Sequence, residues 1–362
     1  MPYPRSAALL ALPLLLSACD DGSPTVDAGP DARIERDAGD IDAGDPGMCV
    51  GVSCMLDAHC VPETGVCECD VGFSFFGDVC LPLEPDDPAL RTAAEVCMGW
   101  SAGHVEDDAD PWTPGTDSCD PGTLSMTGID DTLRRVNMFR WLAGLPEVGY
   151  DGSHHSELME CAHMMSMNRS LSHMPPTSWT CWATGGADAA GRSNIALGYR
   201  SPGTAIDGYM TDVGTESLGH RRWILGTRLG EVEIGYSEGG ALPGQCLGVF
   251  DASGSSDRSW TAYPNPGFAP LGMLTDSRDV VTWSFQANDF DLPASTSVEV
   301  THLASGRVRP VTSYLTGGGG PPPSIAFTPT GWTPRAGDTY RVHIIGTELG
   351  DVIYDTTIVD CP

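Results

Sequence analysis

Apolar residues recur at steps of three and four from about residue 130, which is the spacing of one face of an α-helix. Leu133 and Val136 belong to this face, and Gly144 can end the helix. A second helix is predicted to begin after Asp151 or Ser153. This central part of the chain is therefore expected to be largely helical.

Beyond about residue 265 the pattern changes to a partial alternation of apolar and polar residues, which is typical of short β-strands. The alternation is clearest at 280–285, 298–301, 340–344 and 353–359, between turns rich in Gly and Pro. We interpret residues 263–362 as an all-β sandwich of immunoglobulin-like type, with a structural or adhesive role.

The N-terminus carries an apolar run from Ala7 to Leu16 that is too short to span a bilayer. It predicts a signal peptide over residues 1–18. The run ends in Leu16-Ser17-Ala18-Cys19, which resembles the lipobox of bacterial lipoproteins. The resemblance implies that Cys19 is acylated and that the protein is a membrane-anchored lipoprotein of the bacterial cell envelope. An ordinary signal peptide with an unrelated cysteine is the alternative.

Residues 19–48 form an acidic segment with almost no large apolar side chains. Positions 20–47 hold nine acidic residues and two Arg. Such a segment buries too little apolar surface to offset its chain entropy, so it is expected to be a disordered tether.

The charge balance excludes several partners and mechanisms. The formal net charge is -30, so phosphates of nucleic acid and anionic lipid headgroups would be repelled. All 19 basic residues are Arg. Without any Lys, a P-loop lysine and a Schiff-base lysine are excluded.

The cysteine content indicates an oxidising compartment. Of 13 cysteines, removing Cys19 leaves 13 − 1 = 12, an even number. Six of these lie close together: Cys49, Cys54, Cys60, Cys67, Cys69 and Cys80. Spacing alone leaves all of their pairings open. Their order resembles an EGF-like module over residues 49–80, and the resemblance implies the pairs Cys49–Cys60, Cys54–Cys67 and Cys69–Cys80.

The other six cysteines carry less information. Cys161 and Cys181 flank the second helix and the loop after it, which makes them the first pair to expect. Elimination then leaves the two remaining predicted pairs, Cys97–Cys119 and Cys246–Cys361.

Four segments of the central region occur in the order of a known family. They are NMFR with GLP at 137–140 and 144–146, LSH at 171–173, GRSNIA at 191–196 and GHRRWIL at 219–225. Together they resemble the CAP superfamily of cysteine-rich secretory and pathogenesis-related (SCP-like) proteins. The resemblance implies an α+β fold, an α-β-α sandwich, over residues 129–262. We therefore expect a multidomain protein in which residues 81–128 link the EGF-like module to the CAP domain.

The resemblance also implies a cleft with two histidines and two acidic residues. The matching histidines are His173 and His220, and Asp212 matches one acid. Ser193 stands where the family has its other acid, a glutamate, and Glu216 is a candidate substitute.

Two imidazoles and one carboxylate suit a divalent cation such as zinc, with His173 and His220 as metal ligands. The missing glutamate at Ser193 weakens a general-base mechanism. The leading hypothesis is therefore a cleft that binds a small apolar ligand, a peptide or a partner protein. A metal-assisted, peptidase-like hydrolase is the alternative, and the sequence leaves open whether the protein is an enzyme.

Overall fold

The computed structural model describes most of the chain after its N-terminal part. The described residues are 47–54, 58–62, 64–69, 73–76, 79–82, 87–275, 280–317 and 320–362. The predicted signal peptide, Cys19 and the tether up to residue 46 lie outside them. No helix among the described residues has both the length and the apolar character needed to cross a membrane.

The described part of the chain contains six α-helices and nineteen strands, with short 3-10 helices at Gly47–Cys49, Pro88–Leu90 and Leu271–Leu274. The α-helices are α1 (Ala93–Gly103), α2 (Met126–Leu142), α3 (His155–Asn168), α4 (Thr184–Ala190), α5 (Pro202–Thr211) and α6 (Gly219–Ile224). The strands are β1 (Ala58–Cys60), β2 (Cys67–Cys69), β3 (Phe73–Phe76), β4 (Val79–Pro82), β5 (Trp112–Thr113), β6 (Thr123–Leu124), β7 (Gly149–Tyr150), β8 (Ser193–Leu197), β9 (Glu231–Ser237), β10 (Gly244–Gly248), β11 (Trp260–Tyr263), β12 (Gly267–Pro270), β13 (Trp283–Ala287), β14 (Ser297–His302), β15 (Arg307–Arg309), β16 (Val311–Thr316), β17 (Ser324–Pro329), β18 (Thr339–Thr347) and β19 (Gly350–Val359).

A four-stranded sheet in the order β7–β9–β10–β8 is the centre of the middle region. Side chains of successive strand residues alternate between its two faces. Ile195 and Cys246 pack on α3 and α4, while Leu247 and Ile234 pack on the core that includes α2 and α5. The sheet thus has a helical layer on each face, in agreement with the expected α-β-α arrangement.

One local feature determines where α2 begins, and another allows α3 to pack closely on the sheet. Ser125 caps α2 by accepting a hydrogen bond from the Gly128 amide, which is the usual role of serine at a helix start. On the other side of the sheet, α3 lies so close to β9 that a Cβ at Gly235 would collide with the Leu158 backbone. Glycine at this strand position is what allows the close approach.

The C-terminal region consists of two sheets. Their strand orders are β11–β13–β17–β16 and β12–β19–β18–β14–β15. Aromatic side chains join them: Trp283 contacts Tyr340 edge-on at 5.8 Å between ring centroids, and Trp260 stacks on Tyr354 at 5.5 Å. The two sheets therefore share one aromatic core, as expected for a sandwich. The immunoglobulin-like type stays a prediction.

The segment 81–128, expected to be a linker, contains α1 and the β5–β6 pair. Thr92 and Glu95 form a capping box at the start of α1, in which each side chain bonds the other's backbone amide. This helix packs on α2 and on the strand pair of the N-terminal module. Gly47–Pro362 accordingly forms one compact unit.

Twelve cysteines form six disulfides. The first three are the pairs that the EGF-like resemblance implies: Cys49–Cys60, Cys54–Cys67 and Cys69–Cys80. The other three predicted pairs are wrong. The structure has Cys97–Cys361, Cys119–Cys181 and Cys161–Cys246.

The physical reason for the different pairing is the layered fold. Cys161 lies on the face of α3 that covers the sheet, and Cys246 points to that face from β10. The C-terminal strand β19 pairs with β12, and α1 packs on β12, so Cys361 meets Cys97. Nearness in sequence did not indicate either contact.

Candidate functional site

The candidate site lies where α5 ends and α6 begins. Asp212 caps the end of α5 in a left-handed conformation, with φ of 50°. Its Oδ2 accepts hydrogen bonds from the backbone amides of His220, at 3.1 Å, and Arg221, at 3.3 Å. One buried carboxylate therefore holds the start of α6 against the end of α5.

The same carboxylate binds the His220 ring. The Nδ1–H of His220 donates to Oδ1 of Asp212 at 2.7 Å. The ring also lies against Tyr209, with 5.2 Å between ring centroids. Because Nδ1 carries the proton that Asp212 accepts, Nε2 is left as the acceptor of a neutral imidazole.

Tyr209 and Asn194 connect His220 to the central sheet through two further hydrogen bonds. The Tyr209 hydroxyl donates to the Asn194 carbonyl at 3.0 Å, and Asn194 Nδ2 donates to the His220 carbonyl at 3.0 Å. Complete burial raises the pKa of Tyr209 well above its ordinary value, so the phenol remains a donor. Strand β8 thus holds the His220 backbone through Asn194, while Tyr209 of α5 lies against the ring.

A cavity of about 490 Å³ opens over this ring, and we call it the His220 cavity. Its wall is mixed, with more polar than apolar surface, and it is formed by Leu171, Ile195, Ala196, Leu197, Gly198, Tyr199, Gly208, Tyr209, Thr211, Asp212, Val213, Thr215 and His220. Its size is within the range of about 300–1,000 Å³ that is usual for small-molecule sites.

Residues 133–248, which contain this cavity, match the family model of the cysteine-rich secretory protein family, CAP. This part of the chain is a CAP domain. No curated protein and no solved structure matches the chain. Six disulfides together with a CAP domain fit an extracellular or secreted protein.

Three of the predicted site residues, Ser193, His173 and Glu216, do not line the His220 cavity of the CAP domain. Ser193 is buried, and its hydroxyl donates to the Ala189 carbonyl at 2.7 Å. His173 is exposed and its Nδ1 donates to the Ala190 carbonyl at 2.8 Å. A metal site shared by His173 and His220 therefore stays a prediction.

Glu216 is exposed and lines a neighbouring cavity of about 500 Å³, together with Asp212 and Tyr314 of β16. Burial and the Glu216 carboxylate raise the pKa of Tyr314. Glu216 thus faces the β-sandwich from the CAP domain and does not line the His220 cavity.

A group that could hold a metal ion is found elsewhere in the described part of the CAP domain. Asp151, His154 and Glu233 each offer a ligand atom within 4.8 Å of the others. His154 Nδ1 lies 2.7 Å from Glu233 Oε1, while Arg192 Nε donates to Glu233 Oε2 at 3.1 Å. A cation bound here would compete with the Arg192 guanidinium for Glu233.

The sequence carries one signal in this region, the adjacent histidines His154 and His155. Adjacent histidines diverge on a helix and cannot chelate one ion together. The two rings do diverge, because His155 bonds the Tyr150 hydroxyl at 2.9 Å and His154 bonds Glu233. Glu233 comes from β9, 79 positions from His154 in the chain, so the sequence does not indicate that the two residues meet.

Two buried arginines next to His220 attach the CAP domain to the β-sandwich. Arg221 donates to the carbonyls of Thr211, at 3.0 Å, and Thr282, at 2.8 Å. Arg222 donates to the Pro322 carbonyl through Nε at 3.0 Å. Burial lowers the pKa of Arg221. The two side chains therefore link the CAP domain to the β-sandwich by hydrogen bonds. The GHRRWIL motif did not indicate this structural role.

Proposed function

We propose that the protein is an extracytoplasmic CAP-domain protein that binds a small, largely apolar ligand in the His220 cavity. The proposal includes anchoring to the bacterial envelope membrane through acylated Cys19. The same cavity could instead hold a peptide or part of a partner protein. The binding experiment has to distinguish these occupants from a small ligand.

The observation that supports binding rather than catalysis is that no carboxylate of the cavity is free: Asp212 is fully hydrogen-bonded, and Ser193 replaces the second acid. The Asp212 side chain has no exposed surface, and it already accepts from His220 and from two backbone amides. Ser193 holds a hydroxyl that is bonded to Ala189. The cavity therefore presents an imidazole without a free carboxylate to act as general base beside it.

The expected ligand chemistry follows from the wall. Apolar side chains such as Leu171 and Val213 would cover a hydrocarbon body. His220 Nε2 is an acceptor, so a ligand hydroxyl can donate to it. An apolar molecule with one hydroxyl, such as a sterol-like or long-chain alcohol, satisfies both requirements.

The test compares hydroxylated apolar probes with their methyl ethers on the purified protein by titration calorimetry. We expect the alcohols to bind about fivefold to tenfold more tightly, because one net hydrogen bond contributes about 1 kcal/mol. Val213→Trp, in the exposed loop at the cavity mouth, should weaken both probes. His343→Gln, on β18 away from the cavity, is the control.

Equal affinity for alcohol and ether would contradict the role of His220, and failure of all apolar probes to bind would contradict the ligand class. Binding of peptides but not of alcohols would assign the cavity to a peptide. For the anchor, mass spectrometry of the mature N-terminus should show diacylated Cys19, and a Cys19→Ser variant should be released from membranes.

The second candidate function is a metal-assisted, peptidase-like hydrolase. The hydrogen bond from His220 to Asp212 favours it, because a carboxylate behind an imidazole orients the ring as a metal ligand or base. Peptide turnover that depends on added zinc and is lost in Asp212→Ala, with the fold retained, would replace the binding proposal.

A further inference from the structure

A further cavity, of about 760 Å³, lies in the C-terminal β-sandwich, and we call it the Arg309 cavity. It is formed by Val280, His302, Arg309, Pro329, Gly331, Trp332, Thr333, Arg335, Asp338 and Tyr340. Its size is within the range of about 300–1,000 Å³ that is usual for small-molecule sites. None of these residues belongs to the CAP domain.

Two arginines of this cavity have guanidinium groups with no carboxylate partner among the described residues. Arg309 lies over the Trp332 ring, 5.0 Å from its centroid, and its Nε is buried without a hydrogen-bond partner. Arg335 is exposed on the same cavity. By contrast, Arg341 of β18, in the same sheet as β15, is paired with Asp355 at 2.8 Å.

Unpaired arginines are notable in this chain because acidic residues outnumber basic ones, 49 to 19. An anion in the cavity could accept from the terminal NH groups of an arginine, and a guanidinium fork suits the two oxygens of a carboxylate.

Asp338, the one carboxylate among the described residues of the cavity wall, does not neutralise these arginines. Asp338 Oδ1 lies 3.2 Å from His302 Nε2, and Asp338 Oδ2 accepts from the Tyr340 hydroxyl at 3.0 Å. Burial, with Asp338 beside it, raises the pKa of Tyr340 to about 12. The phenol therefore stays a donor, and the wall combines cationic donors with one fixed acceptor.

We propose that the Arg309 cavity binds a carboxylate-bearing sugar, such as a uronic acid unit of an acidic saccharide. The two arginines receive the carboxylate, and Asp338 with Thr333 bonds the sugar hydroxyls. A bare inorganic ion fills only a small part of the cavity. A peptide carboxylate would need an apolar side-chain pocket, whereas the large apolar residue here, Trp332, is only 8% exposed.

The test measures binding of a glucuronate disaccharide, its neutral glucose counterpart and inorganic phosphate to the purified protein by titration calorimetry. We expect the acidic disaccharide to bind at least about tenfold more tightly than either, since hydrogen bonds to charged groups contribute about 1.5–3 kcal/mol. Arg309→Gln and Arg335→Gln should each lower its affinity about tenfold.

Arg307→Gln is the matched control, because Arg307 is an exposed arginine of the same strand, β15, that does not line the cavity. It should leave the affinity within about twofold. Arg335 is exposed, so its variant keeps the test valid even if Arg309→Gln is unstable. Equal binding of the neutral disaccharide, equal binding of phosphate, preference for a peptide carboxylate, or no binding at all would each overturn the proposal.

Discussion

His220 Nδ1 and Asp212 Oδ1 are 2.7 Å apart across a loop, eight positions from each other in the chain. The carboxylate that ends α5 thereby fixes both the backbone of α6 and the tautomer of the imidazole over the cavity. The Asp212 side chain therefore couples the stability of the loop between α5 and α6 to the hydrogen bonding of the His220 ring.

Asp212→Asn tests this coupling without changing the backbone, since Asn also tolerates a left-handed conformation. Its single amide oxygen cannot replace both carboxylate oxygens, so one donor among His220 and the two amides loses its partner. We expect a loss of about 1–3 kcal/mol in the free energy of unfolding, measured by urea denaturation.

Nitrogen NMR of the imidazole should show that Nδ1 of His220 is no longer the dominant protonated position in Asp212→Asn. An unchanged tautomer and unchanged stability would mean that the Asp212–His220 bond is incidental. Asp110→Asn, an exposed aspartate, controls for the loss of one negative charge.

Arg221→Met should be among the most destabilising single substitutions in the protein. It leaves the carbonyls of Met210, Thr211 and Thr282 without their donor and removes the cation over the Tyr263 ring. We expect a loss of more than about 3 kcal/mol, measured by denaturant unfolding.

Arg200→Met is the control for Arg221→Met, because the Arg200 side chain is 80% exposed and its contact with Glu106 is long, 3.7 Å. It should change stability by less than about 0.5 kcal/mol. Similar losses in the two variants would show that Arg221 does not hold the CAP domain to the β-sandwich.

The sequence predicted those features that depend on local periodicity or on ordered motifs. The apolar spacing around Leu133 and Val136 located α2, and the order of the motifs led to the CAP family that matches residues 133–248. The capping box of Thr92 and Glu95 was also readable in the sequence, and it would have placed α1 in the segment interpreted as a linker.

Contacts between distant segments could not be predicted in the same way. Cys161 meets Cys246 because α3 covers β10, and nothing in the spacing of the two cysteines specifies that layer. The burial of Arg221 depends on where the β-sandwich lies relative to α6. The Arg309 cavity combines Arg309 of β15 with Arg335 of the loop between β17 and β18, and the register that places β15 in its sheet is not visible in the sequence.

Acid should destabilise the protein partly through Asp120. The backbone amides of Thr116 and Gly122 and the Thr116 hydroxyl bond its carboxylate and lower its pKa below the ordinary 3.8. Because the unfolded chain then binds more protons near and below pH 3.8, this contribution is present above that pH and is lost as the pH falls through the folded-state pKa.

Asp120→Asn should therefore show a smaller decrease in unfolding free energy between about pH 5 and about pH 2 than the unsubstituted protein. Denaturant unfolding across that range measures the difference. Asp110→Asn is again the control. A slope in Asp120→Asn as steep as in the unsubstituted protein would mean that these hydrogen bonds do not persist in solution.

Zinc should bind at Asp151, His154 and Glu233 in preference to His173. The three ligand atoms are already close together, but Arg192 holds Glu233. We expect His154→Ala to abolish zinc binding, Arg192→Gln to strengthen it about tenfold and His173→Ala to leave it unchanged. Calorimetry with ZnCl₂ at neutral pH measures all three, and zinc binding that is lost only in His173→Ala would contradict the assignment.

The Cys161–Cys246 disulfide should contribute more to stability than Cys119–Cys181, although the two close loops of comparable length, 85 and 62 residues. In the chain-entropy account each crosslink stabilises the folded protein by about 4 kcal/mol, with little difference between these lengths.

The two disulfides differ in burial: Cys161 and Cys246 have no exposed surface, whereas Cys119 is exposed. Replacing both cysteines of the buried pair by Ala also opens a cavity between α3 and β10, which should cost about 1–2 kcal/mol more than the same change at the other pair. Urea denaturation of the two double variants gives this difference directly. Equal losses would show that the α3–β10 layer relaxes around the missing sulfur atoms, and a larger loss at Cys119–Cys181 would contradict the burial argument.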